Sequence, residues 1–201
     1  MIHLNGHRLC AIDVETTGLE DDVHDIWDIA IIPLDSQMRP ELDILPFNIE
    51  MRPQNLEAID YGFVNRPNIE RLLKSALEPT VAVDLFVEWV KRLDLPENKR
   101  IVPLAHNWIF DSGFIRRWMG RATYNLYIDG LFRDLMTSSI FVNDCADQHA
   151  DRYPFPKHKL SYVCAQLSVE IDQTMLHSAY YDAAKTAEAY KKLCQLTQAI
   201  V

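Results

Sequence analysis

Two carboxylates stand two positions apart in the segment AIDVETTG at residues 11–18. Asp13 and Glu15 follow an apolar run that is typical of a buried strand, where an uncompensated charge is costly. Because successive side chains of a strand point to opposite faces, both carboxylates would project from the same face. Such a pair suits divalent cations, since hard cations prefer oxygen ligands. A D-x-E pattern alone more often marks an acidic strand end in solvent.

A third carboxylate belongs to the segment HNWIFD at residues 106–111. Asp111 lies one turn into a predicted helix that leaves an apolar strand. In α/β sheets, ligands bind where strands end and helices begin. His106 and Asn107 occupy that junction, and Asn107 is expected to cap the helix, to contact a ligand, or both.

The segment HSAYYDAAKTAEAY at residues 177–190 supplies a histidine and a fourth carboxylate. His177 and Asp182 are five positions apart, roughly 140° around a helix, so they would not share one helical face. If the helix begins near Ser178 or Ala179, His177 lies on the preceding loop and can approach the site that Asp182 faces. The alanines of this helix permit close packing against a sheet.

The hydrophobic pattern predicts the elements that must position these side chains. It predicts five strands, at residues 7–14, 26–34, 43–51, 100–105 and 126–132. It predicts short helices over 54–78, broken by Pro67 and Pro79. It predicts further helices from residue 80 and at 108–119, 134–142, 159–168 and 179–197. Residues 143–158, rich in Asp, His and Pro, are predicted to form a flexible loop. Strands first and strand–helix alternation later favour a mixed sheet flanked by helices.

Composition narrows the class of protein. At 201 residues and 48% hydrophobic, the chain is expected to form one domain, residues 1–201. It has no apolar run long enough to span a membrane and no signal-peptide pattern, so a cytoplasmic protein is the default expectation. Four cysteines without a C-x-x-C spacing are expected to be reduced. A formal charge of −9 disfavours a broad basic surface for nucleic acid but allows metal ions to meet phosphates.

Taken in order, the three segments resemble the motifs of the DEDDh exonucleases, the DnaQ-like branch of the ribonuclease H-like fold. AIDVETTG resembles the first motif, D-x-E-T-T-G, HNWIFD resembles H-N-x-x-F-D, and HSAYYDAAKTAE resembles H-x-x-x-x-D followed by alanines. The likeness extends from about residue 7 to 195. It implies an α/β protein with a central mixed five-stranded sheet, a three-strand antiparallel meander plus parallel strands, flanked by helices as a single exonuclease domain.

The resemblance also implies a mechanism and a set of site residues. The enzyme would be a metal-dependent 3′–5′ exonuclease that releases nucleoside 5′-monophosphates with two Mg²⁺ or Mn²⁺ ions. His177 would be the general base. The substrate-binding residues would include His177, Thr16 at the 3′ end, Leu19 as a wedge against the last base, and Asn107. The metal ligands, which are also catalytic, would be Asp13, Glu15, Asp111 and Asp182.

Three alternatives remain open at the level of sequence. Single-stranded DNA is the first expectation for the substrate, and an exoribonuclease of the same family is its rival, because nothing in the sequence reveals how a 2′-hydroxyl is met. A catalytically silent nucleic-acid-binding module is disfavoured because all four carboxylates and the histidine are present. An acyltransferase with an H-x-x-x-x-D pattern would not need the carboxylate cluster.

Overall fold

The computed structural model describes residues 2–64, 66–147 and 153–197. Five strands form one sheet in the order β3-β2-β1-β4-β5. Their bounds are Arg8–Thr16 for β1, Ile26–Pro33 for β2, Phe47–Glu50 for β3, Ile101–Ala105 for β4 and Arg133–Asp134 for β5. Strands β1, β2 and β3 pair antiparallel, whereas β4 pairs parallel to β1 and β5 parallel to β4. The predicted mixed five-stranded sheet with an antiparallel meander is therefore confirmed.

Seven α-helices flank this sheet in the described part of the chain. They are α1 Arg66–Ser75, α2 Pro79–Lys91, α3 Trp108–Met119, α4 Arg121–Tyr127, α5 Leu135–Asp147, α6 Leu160–Gln166 and α7 Ala179–Thr197. The bounds of α3 and α7, which carry two of the four candidate carboxylates, coincide with those predicted. Among the described helices, none is both long enough and apolar enough to cross a membrane.

The prediction of a strand at 126–132 is wrong. Gly120 has a positive φ of 76°, which ends α3, and the chain at once begins α4 and remains helical through Tyr127. Ile128 makes one isolated bridge to β4, and the last strand comes later, at Arg133–Asp134. Of the apolar residues in this segment, Ile128 is buried, whereas Leu126, Leu131 and Phe132 are exposed, so the apolar run does not mark a buried strand.

The flexible loop predicted at 143–158 is wrong at its beginning, whereas residues 153–158 form neither helix nor strand, in agreement with a loop. Helix α5 continues to Asp147. Phe155 is 1% exposed and packs with the core of α6 and α7. The side chain of Asn143 accepts a hydrogen bond from the Phe155 backbone N–H and donates one to its carbonyl. Residues 148–152 lie outside the described residues.

The two faces of the sheet are packed differently. On one face, large side chains from α2 and α3 cover β1 and β2 with an aromatic cluster that includes Phe86 and Trp89. On the other face, Ala11 and Ala30 of the sheet meet the alanines of α7. Small residues on both sides allow a close approach of helix and sheet. This contact brings the beginning of α7 next to β1, which carries Asp13 and Glu15 on the same face.

Candidate active site

A cavity of about 440 Å³ opens where β1 ends and α3 and α7 begin. We call it the active-site cavity. The structure brings all five predicted catalytic side chains together there, together with the predicted substrate residue Thr16. The five are Asp13, Glu15, Asp111, His177 and Asp182.

Asp13 and Glu15 lie on the face of β1 that α7 covers. Burial raises the pKa of Asp13 well above its usual range, and the charges of Asp111 and Glu15 raise it further. Burial, followed by the negative charges of Asp182 and Asp28, raises the pKa of Glu15 to about 8. With that pKa, Glu15 favours its protonated form at neutral pH unless a positive charge is bound beside it.

Asp111 joins α3 to the strand. Strand β4 ends at Ala105, and β1 continues beyond it, so the later residues of β1 need other partners. Asp111 Oδ1 accepts a hydrogen bond from the Val14 backbone N–H at 3.2 Å. The side chain is 3% exposed, and burial raises its pKa to about 8.

Asp182 and His177 meet at the beginning of α7. The His177 backbone N–H donates to Asp182 Oδ2 at 3.3 Å, and His177 adopts a left-handed conformation with φ of 67°. Its side chain is exposed. Among the described residues, Asp182 Oδ1 is buried and has no hydrogen-bond partner. Ligand atoms of Glu15, His177 and Asp182 all lie within 4.8 Å of one another.

These features fit a divalent cation. Four carboxylates supply the hard oxygen ligands that such ions prefer. Their raised pKa values and the unpartnered Asp182 Oδ1 are costs that a bound cation would offset. The cluster of Glu15, His177 and Asp182 gives three ligands within reach of one ion.

The start of α3 differs from the sequence-based expectation that Asn107 caps the helix. Asn107 has a left-handed backbone (φ 75°, ψ 54°) and its side chain makes no capping hydrogen bond. Instead, Asp134 Oδ2 accepts the Trp108 backbone N–H at 2.5 Å, and Asp134 Oδ1 accepts the Thr137 backbone N–H at 2.7 Å. One buried carboxylate thus fixes the first residues of both α3 and α5.

The segment after Glu15 is tightly folded on itself. The Thr16 hydroxyl donates to the Gly18 carbonyl at 2.6 Å, so its proton is already used within the chain. A Cβ at Gly18 would lie 2.2 Å from the His24 ring, so a larger residue there would require the ring to move. Leu19, predicted as a wedge, is 60% exposed and does not line the active-site cavity. Its role stays a prediction.

Several residues that line or support the cavity were not assigned a role from sequence. Phe63, Phe110 and His106 line it, and Phe63 is 52% exposed. Phe63 lies far from every motif along the chain, so no local pattern could have identified it. Asp28 supports the site from β2, where its Oδ2 accepts the Ala179 backbone N–H at 3.2 Å. The available clue in the sequence was an acid inside the apolar run IWDIAIIP, and the structure pairs it with Glu15.

Comparison with known proteins identifies the family of this chain. Residues 10–190 match the model of the RNase_T family, whose description is exonuclease. The chain belongs to this exonuclease family, which confirms the enzyme class that the sequence predicted. Proteins of this family depend on divalent metal ions, in agreement with the carboxylate cluster.

Individual relatives give the same assignment. Ribonuclease T of Shewanella frigidimarina (strain NCIMB 400) is 28% identical over 190 residues, which cover 92% of this chain and 81% of that protein. Ribonuclease T of Photobacterium profundum is 23% identical over 193 residues, which cover 92% of this chain and 81% of that protein.

Solved structures share the fold at lower identity. Exonuclease I of E. coli in complex with a dT13 oligonucleotide aligns with a TM-score of 0.71 at 15% identity. This chain is covered over 96% of its length but spans only 42% of that protein. Cell-death related nuclease 4 aligns with a TM-score of 0.66 at 18% identity.

Proposed function

We propose that this protein is a two-metal 3′–5′ exonuclease that removes nucleoside 5′-monophosphates from single-stranded nucleic acid. The observation that carries the proposal is the convergence of four carboxylates and one histidine on a single cavity at the end of the central strand. Membership of the exonuclease family supports it. Residues 1–201 would act as one exonuclease domain.

Asp13, Glu15, Asp111 and Asp182 would hold the divalent cations, Mg²⁺ or Mn²⁺. When bound, two such ions would supply Lewis-acid stabilisation of the charge that develops at the phosphate and the leaving oxygen. The protein's own contribution is preorganisation. Asp111 is fixed by its hydrogen bond to Val14, and the alanines of α7 hold Asp182 close to the sheet.

His177 would remove the proton from the attacking water. It stands at the rim of the cavity with an exposed side chain, so it can face the attacking water and still exchange its proton with solvent. General-base catalysis of this kind contributes about 10²- to 10⁴-fold to a rate. The hydrogen bond from the His177 backbone to Asp182 ties the proposed base to a proposed metal ligand.

The terminal nucleoside would lie against Phe63 and Phe110, with Thr16 near its 3′ end. An aromatic surface suits a single-stranded end, because an unpaired base can stack on it whatever its identity. Leu19 and Asn107 remain proposed contacts on either side of this position. Both are at loop or junction positions next to the cavity-lining segments.

DNA is the first candidate substrate, and RNA is a second that a specific observation favours. The structural neighbour Exonuclease I binds dT13, whereas the curated relatives at 23–28% identity are called Ribonuclease T. The two candidates differ at the sugar 2′-hydroxyl and in the 5-methyl group of thymine.

The test is a digestion of 5′-labelled DNA and RNA oligonucleotides of matched sequence with Mg²⁺, Mn²⁺ or EDTA. We expect a ladder that shortens from the 3′ end, requires the metal, and disappears in Asp13→Ala. The faster of the two substrates identifies the preferred sugar. Shortening from the 5′ end, or degradation in EDTA, would contradict the proposal.

A further inference from the structure

A second and larger cavity of about 750 Å³ lies beside the active-site cavity, and we call it the outer groove. The two cavities share His106, His177 and Asp182 in their walls. The outer groove is therefore continuous with the site of proposed chemistry, and much of its remaining wall comes from α5, α6 and the segment before α7. Its volume falls within the roughly 300–1,000 Å³ that is usual for ligand sites.

The lining of the outer groove divides into an apolar and a polar part. Met136, Leu160 and Leu176 give an apolar surface that could receive the face of a base. Asn107 also lines it, and its amide is not used to cap α3. The polar groups can thus contact sugar and phosphate while the apolar groups contact the base, as in other single-strand sites.

The outer groove differs from the active-site cavity in that a lysine, Lys159, lines it. Among the described residues that line the two cavities, it is the one lysine or arginine. None of the ion pairs found in the described part of the chain involves Lys159. In a protein with a formal charge of −9, a phosphate has few other cations to approach near this site.

We propose that the outer groove binds the nucleotide immediately upstream of the scissile phosphate, and that Lys159 contacts the next phosphate along the strand. This inference rests on the proposed function. An exonuclease must hold the strand on both sides of the bond that it breaks. The active-site cavity, with its carboxylates and aromatic residues, would take the scissile phosphate and the terminal nucleoside. The upstream nucleotide, whose 3′ oxygen is the leaving group, then needs the adjoining groove.

The first experiment compares two substrates that differ only in whether an upstream nucleotide is present. One is a single-stranded oligothymidylate, and the other is the p-nitrophenyl ester of thymidine 5′-monophosphate, in which nitrophenolate is the leaving group. The variant is Lys159→Ala. The matched control is Lys157→Ala, which removes the same charge from the same segment, but whose amine donates to the Tyr162 hydroxyl at 3.0 Å and does not line the groove.

We expect Lys159→Ala to lower kcat/KM for the oligonucleotide about tenfold, chiefly through KM, since a charged hydrogen bond to phosphate is lost. Hydrolysis of the aryl ester should be unchanged, and Lys157→Ala should alter neither substrate by more than about twofold. Lys159→Arg should recover most of the loss. Equal loss on both substrates, or no loss on either, would overturn the inference. Failure of the wild-type protein to hydrolyse any phosphodiester would instead overturn the proposed function.

A second experiment identifies the phosphate that Lys159 contacts. An oligonucleotide carries one neutral methylphosphonate at the second linkage from its 3′ end, and its binding is measured in Ca²⁺ by fluorescence anisotropy. If Lys159 contacts this phosphate, Lys159→Ala will weaken binding of the natural strand but not of the neutralised strand. In Lys159→Ala, the slope of the logarithm of the binding constant against the logarithm of the salt concentration should also become shallower by about 0.7. If the affinity of Lys159→Ala for the neutralised strand falls by the product of the two separate losses, the proposed contact is wrong.

Discussion

The proposed metal ligands and the proposed base occupy parts of the molecule that are built in opposite ways. Asp111 is buried and tied to the Val14 backbone, and the half-buried Asp13 lies close enough for the charge of Asp111 to raise its pKa. His177 is exposed, has a left-handed backbone, and is linked to Asp182 through its backbone N–H. The carboxylates therefore carry an electrostatic cost that the fold has built in, whereas the histidine side chain lies in solvent. Replacing members of the two groups should then have different effects on activity and stability.

The largest effect is expected from Asp111→Asn. The amide oxygen can still accept the Val14 N–H, so the fold is kept, but a negative ligand is lost. A metal site contributes several kcal/mol to catalysis, and 1.36 kcal/mol is tenfold in rate, so kcat should fall by about 10³-fold or more. In EDTA the melting temperature should be unchanged at neutral pH, where Asp111 is mostly protonated, and higher than that of the wild type above pH 8, where a buried negative charge has been removed. Steady-state digestion and thermal unfolding measure the two quantities.

An exposed acid provides the matched control for this variant. Asp84→Asn on α2 should leave both activity and melting temperature unchanged. An Asp111→Asn enzyme that keeps more than a tenth of wild-type activity would show that Asp111 is not part of the proposed metal site.

A smaller loss is expected from His177→Ala, at the lower end of the roughly 10²- to 10⁴-fold that a general base usually contributes. Stability should not change, because the side chain is exposed. The ligand atoms of His177, Glu15 and Asp182 are close enough to share an ion. Calorimetry of Mn²⁺ binding therefore distinguishes whether His177 is a general base or a metal ligand. A base predicts unchanged Mn²⁺ affinity in His177→Ala, with His3→Ala as the surface control. A loss of affinity above tenfold would make His177 a ligand instead.

The metal-free protein should lose stability as pH rises. The folded-state pKa values of Glu15 and Asp111 are raised to about 8 by burial, from ordinary values of 4.5 and 3.8. The folded state thus binds protons that the unfolded state releases, and the corresponding stability is full below about pH 4 and lost as pH rises through 8. In EDTA, we expect the melting temperature to fall by on the order of 5 °C between pH 5 and pH 8.

Two controls separate this effect from the titration of other groups. Mn²⁺ at saturation should restore the melting temperature at pH 8. The double variant Glu15→Gln/Asp111→Asn should show a flatter pH dependence in EDTA. If the melting temperature of the wild type rises over this range, or if the double variant keeps the same slope, the carboxylate cluster is not the source of the cost.

The same contrast explains which features the sequence could predict. The motifs indicated which elements carry the carboxylates and His177. The predicted bounds of α3 and α7 match the structure, because a helix of this kind is marked by a local pattern of apolar residues. The cap of α3 could not be predicted in this way. Its donor, Trp108, finds its acceptor on Asp134, 26 residues later in the chain. Phe63 and the short strand Arg133–Asp134 likewise depend on contacts between distant segments.

The smallest effect is expected at Asp28, which links the two contrasting regions. Its Oδ2 accepts the backbone N–H of Ala179, two residues after His177, while its strand position pairs with Glu15. Asp28→Ala would leave a buried N–H without an acceptor, at a cost of about 1–3 kcal/mol in the free energy of unfolding. Asp28→Asn keeps the acceptor and should cost less.

If the beginning of α7 positions His177 and Asp182, Asp28→Ala should also lower kcat, by about tenfold, with little change in KM. A positioning role predicts that Asp28→Asn recovers most of kcat, since the oxygen and not the charge holds Ala179. If both variants lose stability without losing kcat, the hydrogen bond supports only the fold. If Asp28→Asn loses as much kcat as Asp28→Ala, the charge itself acts on the carboxylate cluster, because Asp28 is one of the groups that raise the pKa of Glu15.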